Sequence, residues 1–259
     1  MSRDLNRTAS AAAFVLLWII GFSLLGSVGA TAGAALMLLF PDGIRRTLVP
    51  CLISYATGTL LGAAFLGMIP ASLKQAPAVP VMATVLAGIV LFFVLEKLVL
   101  WRHCHDSECE VHGRAAPLIL IGDAFHNFVD GAVIAAAFLT SIPLGIAASV
   151  AVIAHEVPQE VGDFAILLDS GYGRMKALML NGLSSAATLP GAVAAYFWLG
   201  ETRGAVPYIL ALSAASFIYI ATADLIPGLH RQATAAASLR QLVLLLAGIG
   251  TIAFFRFGH

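Results

Sequence analysis

Long apolar stretches recur along the whole chain and constrain its fold more than any other feature. A membrane-spanning helix needs about 20 consecutive, mostly apolar residues. Eight stretches meet this length, and turn signals such as Pro41-Asp42-Gly43 and Gly171-Tyr172-Gly173 separate them. The predicted spans cover residues 11–40, 48–73, 78–101, 116–139, 143–170, 176–199, 205–229 and 236–256. We predict an all-α, polytopic membrane helix bundle that forms a single transmembrane domain over residues 1–259.

The composition agrees with a protein embedded in a lipid bilayer. Of the 259 residues, 60% are hydrophobic and 11% are charged, whereas a soluble domain carries about 25% charged residues. The net charge is +0, so no basic surface is available for nucleic acid. The N-terminal apolar stretch is too long for the hydrophobic region of a signal peptide and is interpreted as the first span.

The distribution of Lys and Arg predicts the orientation of the spans, because cytoplasmic loops carry an excess of these residues. One side holds nine of them and the other side five. The nine are Arg45, Arg46, Lys97, Arg102, Arg114, Arg174, Lys176, Arg231 and Arg240. We therefore expect these loops to face the cytoplasm and both termini to lie outside the cell (plasma or inner) membrane.

A short likeness links spans two and seven. Span two ends in Met68-Ile69-Pro70 and span seven in Leu225-Ile226-Pro227. Transporters often contain inverted repeats, and this pairing fits a 3+2+3 inverted-repeat arrangement of the eight spans. Chance similarity between apolar helices explains the likeness equally well.

Two polar clusters interrupt spans four and five. An ionisable group inside a lipid-spanning helix costs several kcal/mol unless it is paired, hydrated or bound to a cation. At about 100° per residue, the polar residues of each helix fall within one arc. The arc of span four holds Asp123, His126, Asn127 and Asp130, and that of span five holds His155, Glu156, Gln159, Glu160 and Asp163.

The two polar stripes can face each other and keep their charges away from lipid. Together they offer imidazole, carboxylate and amide groups, a set that suits Zn, Fe, Mn, Co or Ni better than alkali ions. Taken alone, Asp123 or Asp163 is explained equally well by a helix-packing hydrogen bond. The full pair of stripes indicates a site that holds or passes a metal ion.

The paired motif resembles the signature of the ZIP (Zrt/Irt-like) divalent-metal transporters. It reads His126-Asn127-x-x-Asp130-Gly131, followed by His155-Glu156-x-Pro158-x-Glu160-x-Gly162-Asp163-Phe164. The resemblance implies eight spans and a two-metal site halfway along the transport path. It makes His126, Asn127, Asp130, His155, Glu156 and Gln159 the ligands. Many relatives have His or Glu at the position of Gln159, so an amide here implies a looser metal position.

Further polar features are candidates either for metal capture, at a loop outside the dehydrated path, or for the transport pathway itself. The loop at 102–115 has a metal-capturing composition, although a merely solvated loop is the alternative. Its candidate ligands are His103, Cys104, His105, Cys109 and His112. Glu160 and Asp163 extend the stripe of span five. Asp224 in span seven either lines the pathway or bonds a neighbouring helix.

These observations favour transport of a divalent transition metal, with zinc first and iron or manganese as alternatives. The resemblance implies movement into the cytoplasm. The metal is the transported substrate, no organic cofactor is expected, and a homodimer is left open as the assembly. No nucleotide-binding loop is present. The alternative function is an intramembrane zinc-dependent hydrolase, because His155-Glu156 begins like a His-Glu-x-x-His zinc helix. Gln159 stands at the fifth position of that motif, so we expect no enzyme.

Overall fold

Helices occupy the eight predicted spans with nearly the predicted bounds. The computed structural model describes residues 2–37, 39–103, 115–230 and 234–257, and these residues contain no β-strand. The α-helices are α1 (Ser2–Met37), α2 (Asp42–Gly62), α3 (Ile69–Leu73), α4 (Ala78–His103), α5 (Ala115–Thr140), α6 (Ile142–Asp169), α7 (Arg174–Ser185), α8 (Thr188–Glu201), α9 (Val206–Tyr219), α10 (Ile226–His230) and α11 (Ala235–Phe257). The predicted all-α fold is confirmed.

Seven stretches of the described chain are long and apolar enough to cross a membrane. They are Ala12–Met37, Gly43–Leu73, Ala78–Lys97, Ile142–Leu168, Arg174–Glu201, Arg203–His230 and Ala235–Phe257. Helix α5 is 26 residues long and carries the first polar cluster. We count it as the eighth span because it packs among α1, α6 and α8, which shield its polar residues from lipid.

Two spans widen into π-helical turns at matching positions. A π-helical segment, Ala63–Met68, joins α2 to α3, and a second, Ile220–Leu225, joins α9 to α10. Each precedes an Ile-Pro pair, at Pro70 and at Pro227. Proline lacks an N–H and cannot bond the carbonyl four residues earlier, and a π-helical turn is one way in which a helix accommodates such a defect. Spans two and seven therefore share local structure as well as sequence.

The sixth span is broken into α7 and α8 at residues 186–187. Pro190 has no N–H to donate to the carbonyl of Ala186. The amide of Leu189 donates to that carbonyl instead, at 3.3 Å. At the break, the Ser185 hydroxyl donates to the carbonyl oxygen of Ser27 in α1, and the Thr188 side chain reaches α5, where it takes part in the polar network described below.

The helices form two groups, which meet where α6 packs against α2 and α11. The first group contains α1 and α5–α8, and the second contains α2–α4 and α9–α11. In the first group α1 packs along α6 and α5 along α8; in the second, α2 packs along α11 and α4 along α9. A repeat of this kind relates span one to six, two to seven, three to eight and four to five. Under this exchange the α1–α6 pair becomes the α5–α8 pair, and the α2–α11 pair becomes the α4–α9 pair. This correspondence supports the predicted 3+2+3 repeat.

Glycines allow helices of the same group to approach at backbone distance. A Cβ atom on Gly131 would lie 2.0 Å from the carbonyl oxygen of Thr188, and one on Gly191 would lie 2.1 Å from that of Phe128. In the second group, Gly58 stands in the same relation to the carbonyl oxygen of Leu245, at 2.0 Å. Small residues permit close packing of membrane helices, and these contacts fix α5 against α8 and α2 against α11.

Candidate metal site

The polar clusters face each other because α5 and α6 are joined by a single residue. Ser141 has extended backbone (φ −167°), and its side chain accepts a hydrogen bond from the amide of Leu144 at 3.3 Å. Such a bond caps the first turn of α6. Pro143 lies in that turn, where its missing N–H has no helical partner to lose. The chain reverses at once, and the two polar stripes come together.

Four side chains meet between the helices: His126 and Asp130 from α5, and His155 and Glu156 from α6. Their ligand atoms all lie within 4.8 Å of one another. The Nε2 atoms of the two histidines are 3.2 Å apart. Asp130 Oδ2 lies 3.1 Å from His155 Nε2 and 3.8 Å from His126 Nε2, and Glu156 Oε1 lies 3.5 Å from both. We call these four residues the central cluster.

Backbone contacts orient His155 toward the centre of the cluster. Its Nδ1 donates a hydrogen bond to the carbonyl oxygen of Ala151, at 2.9 Å. In a neutral imidazole the other nitrogen then carries the lone pair. Fixing one ring nitrogen in this way is how proteins commonly orient a histidine ligand. His155 Nε2 is therefore available to a cation.

Burial makes the central cluster costly without a cation. Asp130, His155 and Glu156 are at most 2% exposed, and both carboxylates have oxygens without a hydrogen-bond donor. The His126 side chain is 21% exposed and marks the open side of the cluster. From the second group, the Phe217 ring packs against the His155 ring with centroids 5.9 Å apart. A group of carboxylates and imidazoles with convergent, donor-free oxygens is chemically suited to a divalent transition metal.

Two other residues of the stripes, Asn127 and Gln159, are engaged one helical turn away. Asp123 Oδ1 accepts hydrogen bonds from Asn127 Nδ2 at 3.1 Å and from Gln159 Nε2 at 3.0 Å. The Asn127 side-chain oxygen accepts a bond from Thr188 Oγ1 of α8 at 2.9 Å. The structure thus places both amides beside Asp123 and outside the central cluster.

Glu160 and Asp163 continue the stripe of α6 beyond Gln159. Glu160 is fully buried, and neither oxygen of its carboxyl group has a hydrogen-bond donor. Its backbone carbonyl accepts a bond from Asn181 Nδ2 of α7 at 3.1 Å. Asp163 is partly exposed, and its carboxyl group contacts that of Asp123.

The remaining sequence candidates lie elsewhere. Asp224 is in the π-helical segment of the second group and is exposed. Nearby, the Tyr219 hydroxyl donates a hydrogen bond to Glu96 of α4. The predicted capture loop falls largely outside the described residues: Cys104, His105, Cys109 and His112 are not described, and neither is the side chain of His103, the last residue of α4.

Sequence reasoning missed three contributors from other helices. Thr188, Asn181 and Phe217 carry no charge and belong to no metal motif, so their roles became visible only once the helices were packed. Pro190 was the one local signal, because it predicts a break in span six close to Thr188.

Comparison with known proteins places this arrangement in a family. The family model described as ZIP Zinc transporter matches residues 102–256, which include α5 to α11. The chain belongs to the ZIP zinc transporter family. The predicted membership is confirmed, and the central cluster consists of residues from the two halves of the predicted ZIP motif.

Individual relatives of this ZIP family chain carry related names. It is 34% identical over 225 residues to Zinc transporter ZIP13 of Pongo abelii, covering 79% of this chain and 66% of the relative. It is 31% identical over 294 residues to Zinc transporter SLC39A7 of Mus musculus, covering 79% and 62%. With Zinc transporter ZIP4 of Homo sapiens it shares 41% identity over 112 residues, covering 43% and 17%. The chain therefore spans slightly less than two thirds of the length of the first two relatives.

Proposed function

We propose that the chain moves divalent transition-metal ions across a membrane through the central cluster, with zinc as the preferred substrate and iron or manganese as alternatives. The observation that carries the proposal is the convergence of two imidazoles and two donor-free carboxylates at one buried point. Family membership and the relatives' names support zinc. His126, Asp130, His155 and Glu156 bind the ion, which exchanges its water for these ligands. Asn127 and Gln159 join them only after leaving Asp123.

The division into two helix groups offers a way for the ion to leave. Side-chain hydrogen bonds such as Thr188 to Asn127 and Asn181 to Glu160 join helices of the first group. Others, such as Tyr55 to Thr251, join helices of the second group. Among the side chains that the structure describes, Arg45 and Phe254 aside, no hydrogen bond joins one group to the other. We propose that the first group, with its ion, shifts against the second.

The proposed direction is into the cytoplasm, with both termini outside the cell membrane. The excess of Lys and Arg in one set of loops supports this orientation. Exposed apolar side chains along α4 and α11, such as Leu86 and Leu242, fit contact with lipid, and a homodimer would cover part of that surface. Labelling of Cys104 tests the orientation: reaction with a membrane-impermeant thiol reagent from outside intact cells would contradict it.

A hydrolase is disfavoured by the source of the ligands. In a His-Glu-x-x-His zinc helix, two histidines of one helix bind the metal and the glutamate acts as a base. Here the two imidazoles come from different helices, Glu156 lies 3.5 Å from both, and Gln159 stands where the second histidine would be. The arrangement therefore supports transport.

Uptake into proteoliposomes tests the proposal. The purified full chain is reconstituted, and entry of Zn²⁺, Fe²⁺, Mn²⁺ and Ca²⁺ is followed with no other substrate present. We expect saturable uptake of Zn²⁺, weaker uptake of the other transition metals and none of Ca²⁺. Absence of uptake of every transition metal by folded protein would contradict the proposed function.

A further inference from the structure

Asp123 forms a second acidic centre on the same two helices as the central cluster. The residue is 5% exposed, and its Oδ1 atom accepts two amide N–H groups, from Asn127 and Gln159. Two donors on one oxygen are typical of an ionised carboxylate. The other oxygen, Oδ2, is buried and has no donor. One half of this carboxylate is thus held in place, and the other half receives no amide N–H.

Asp163 presents a second carboxyl group to Asp123. The two side chains are in contact across the α5–α6 interface. An ionised carboxylate offers only acceptors, and two negative charges in contact repel each other strongly when they are shielded from water. Both aspartates also lie close enough to buried Glu160 to act on its carboxyl group. A cation between Asp123 and Asp163 would remove this conflict.

The pair is displaced from the central cluster toward one membrane face. Asp123 precedes His126 by three residues, and Asp163 follows Glu156 by seven, which correspond to about 5 Å and 10 Å along their helices. Because α5 and α6 are antiparallel, both displacements point the same way, toward the start of α5 and the end of α6. Asp163 is partly exposed, as is His126 of the central cluster, whereas Asp130 and Glu156 are buried. From its displacement along both helices, the pair lies nearer to that membrane face than the central cluster does.

We propose that Asp123 and Asp163 form a second binding site for a divalent metal ion, built from oxygen ligands alone, through which the ion passes between the central cluster and that membrane face. The inference rests on the proposed transport function and adds a step to it. Carboxylate ligands without imidazole suit Mn²⁺ better than Zn²⁺. A transported ion must also leave, which favours weak binding near the mouth.

Binding of Mn²⁺ alone to the purified full chain tests this site. Equilibrium dialysis compares the parent with Asp163→Asn, Asp163→Glu, His155→Ala and the matched control Glu201→Gln, which removes an exposed acid at the end of α8. We expect Asp163→Asn to lose about one bound equivalent, while Asp163→Glu and Glu201→Gln keep it. His155→Ala should weaken the central cluster and retain the oxygen-only equivalent.

Full Mn²⁺ stoichiometry in folded Asp163→Asn would overturn the proposal, because the carboxyl pair would then hold a proton and no metal. Where that variant fails to fold, pulsed electron paramagnetic resonance on the parent decides. We expect one bound Mn²⁺ population without imidazole nitrogen coupling, and its absence would overturn the proposal. A different result would overturn the proposed transport through the central cluster: uptake of Zn²⁺ by His155→Ala at the parental rate.

Discussion

The central cluster and the Asp123 network lie one helical turn apart on the same two helices, and their chemistry differs. In the central cluster, two imidazoles and two carboxylates point at each other, and carboxylate oxygens lack donors. In the Asp123 network, amides of Asn127 and Gln159 donate to one carboxylate oxygen, and Thr188 holds Asn127 from outside. The first arrangement is chemically suited to a cation, whereas the second is half satisfied by the protein itself.

The difference shows how similar residues on one polar stripe take separate roles. A buried carboxylate with protein donors is held in a fixed position, while one without donors gains most from a metal ion. Substitutions in the central cluster should therefore abolish function. Substitutions in the network should change affinity, selectivity or rate.

The largest effect is expected from removing a ligand of the central cluster. His126→Ala, Asp130→Ala, His155→Ala and Glu156→Ala each remove a proposed ligand of the ion. Loss of groups that only support a metal ligand commonly costs about 10–100-fold, so loss of a ligand should reduce Zn²⁺ uptake by at least that factor. Proteoliposome uptake, with the amount of inserted protein measured in parallel, checks this.

Ser149→Ala is the matched control for these variants. Ser149 is buried in α6, and its hydroxyl donates only to the carbonyl oxygen of Gly145 on its own helix, at 2.8 Å. We expect near-parental uptake from it. Near-parental uptake by all four ligand variants would refute the assignment of the central cluster.

The next effect concerns the packing that holds both regions in place. A methyl group on Gly131 would collide with the carbonyl oxygen of Thr188, whereas one on Gly122 of the same helix meets no atom within 4 Å. Gly131→Ala should cost about 1–3 kcal/mol, as overpacking in a core does, and Gly122→Ala should be neutral. Thermal unfolding of the two variants in detergent checks this. Equal melting temperatures would mean that α5 and α8 are not in backbone contact.

A smaller, selective effect is expected at Gln159, which belongs to the Asp123 network. Gln159→His replaces an amide that donates to Asp123 with an imidazole one helical turn beyond His155. Because imidazole suits Zn while oxygen ligands suit Mn, the half-saturation concentration should fall more for Zn²⁺ than for Mn²⁺. The maximal rate should stay unchanged or decrease, since a tightly held ion leaves slowly. If Gln159→His and Gln159→Ala both behave as the parent, the side chain plays no part in binding.

The smallest effect is expected at Thr188, which contacts the network and not the central cluster. Thr188→Val keeps the shape of the side chain and removes the donor to Asn127. A lost hydrogen bond of this kind costs about 1 kcal/mol, so uptake should fall only a few-fold. Uptake and melting temperature measured together check this. Complete loss of transport by folded protein would show that the network is part of the metal site.

Much of the fold follows from the sequence because lipid imposes a simple rule on helix length. Apolar stretches separated by Pro and Gly signals predicted the eight spans to within a few residues at most ends, apart from an earlier start for α1 and α2. The break between α7 and α8 and the π-helical turns depend on which amide donates to the carbonyl that a proline leaves without a donor. That choice is made by packing and leaves no mark in a hydropathy profile.

For the site, the sequence predicted the helices and the facing polar stripes. It did not predict which polar residues belong to the central cluster and which to the Asp123 network. Residue spacing put His126, Asp130, His155 and Glu156 on facing surfaces, and the structure brings them together. Residue spacing could not predict that Asn127 and Gln159 donate to Asp123. These bonds depend on the exact positions of the side chains and on Thr188, which holds Asn127 from a third helix. The role of each residue in transport stays a prediction.

X-ray absorption at the zinc edge tests the central claim most directly. The sample is the full chain carrying about one equivalent of Zn²⁺, with His103, Cys104, His105, Cys109 and His112 replaced by serine so that the loop cannot bind it. The account predicts nitrogen and oxygen ligands at about 2.0–2.2 Å, imidazole scattering from two rings, and loss of that scattering in His126→Ala/His155→Ala. Unchanged imidazole scattering in the double variant would contradict the claim that these two histidines hold the metal.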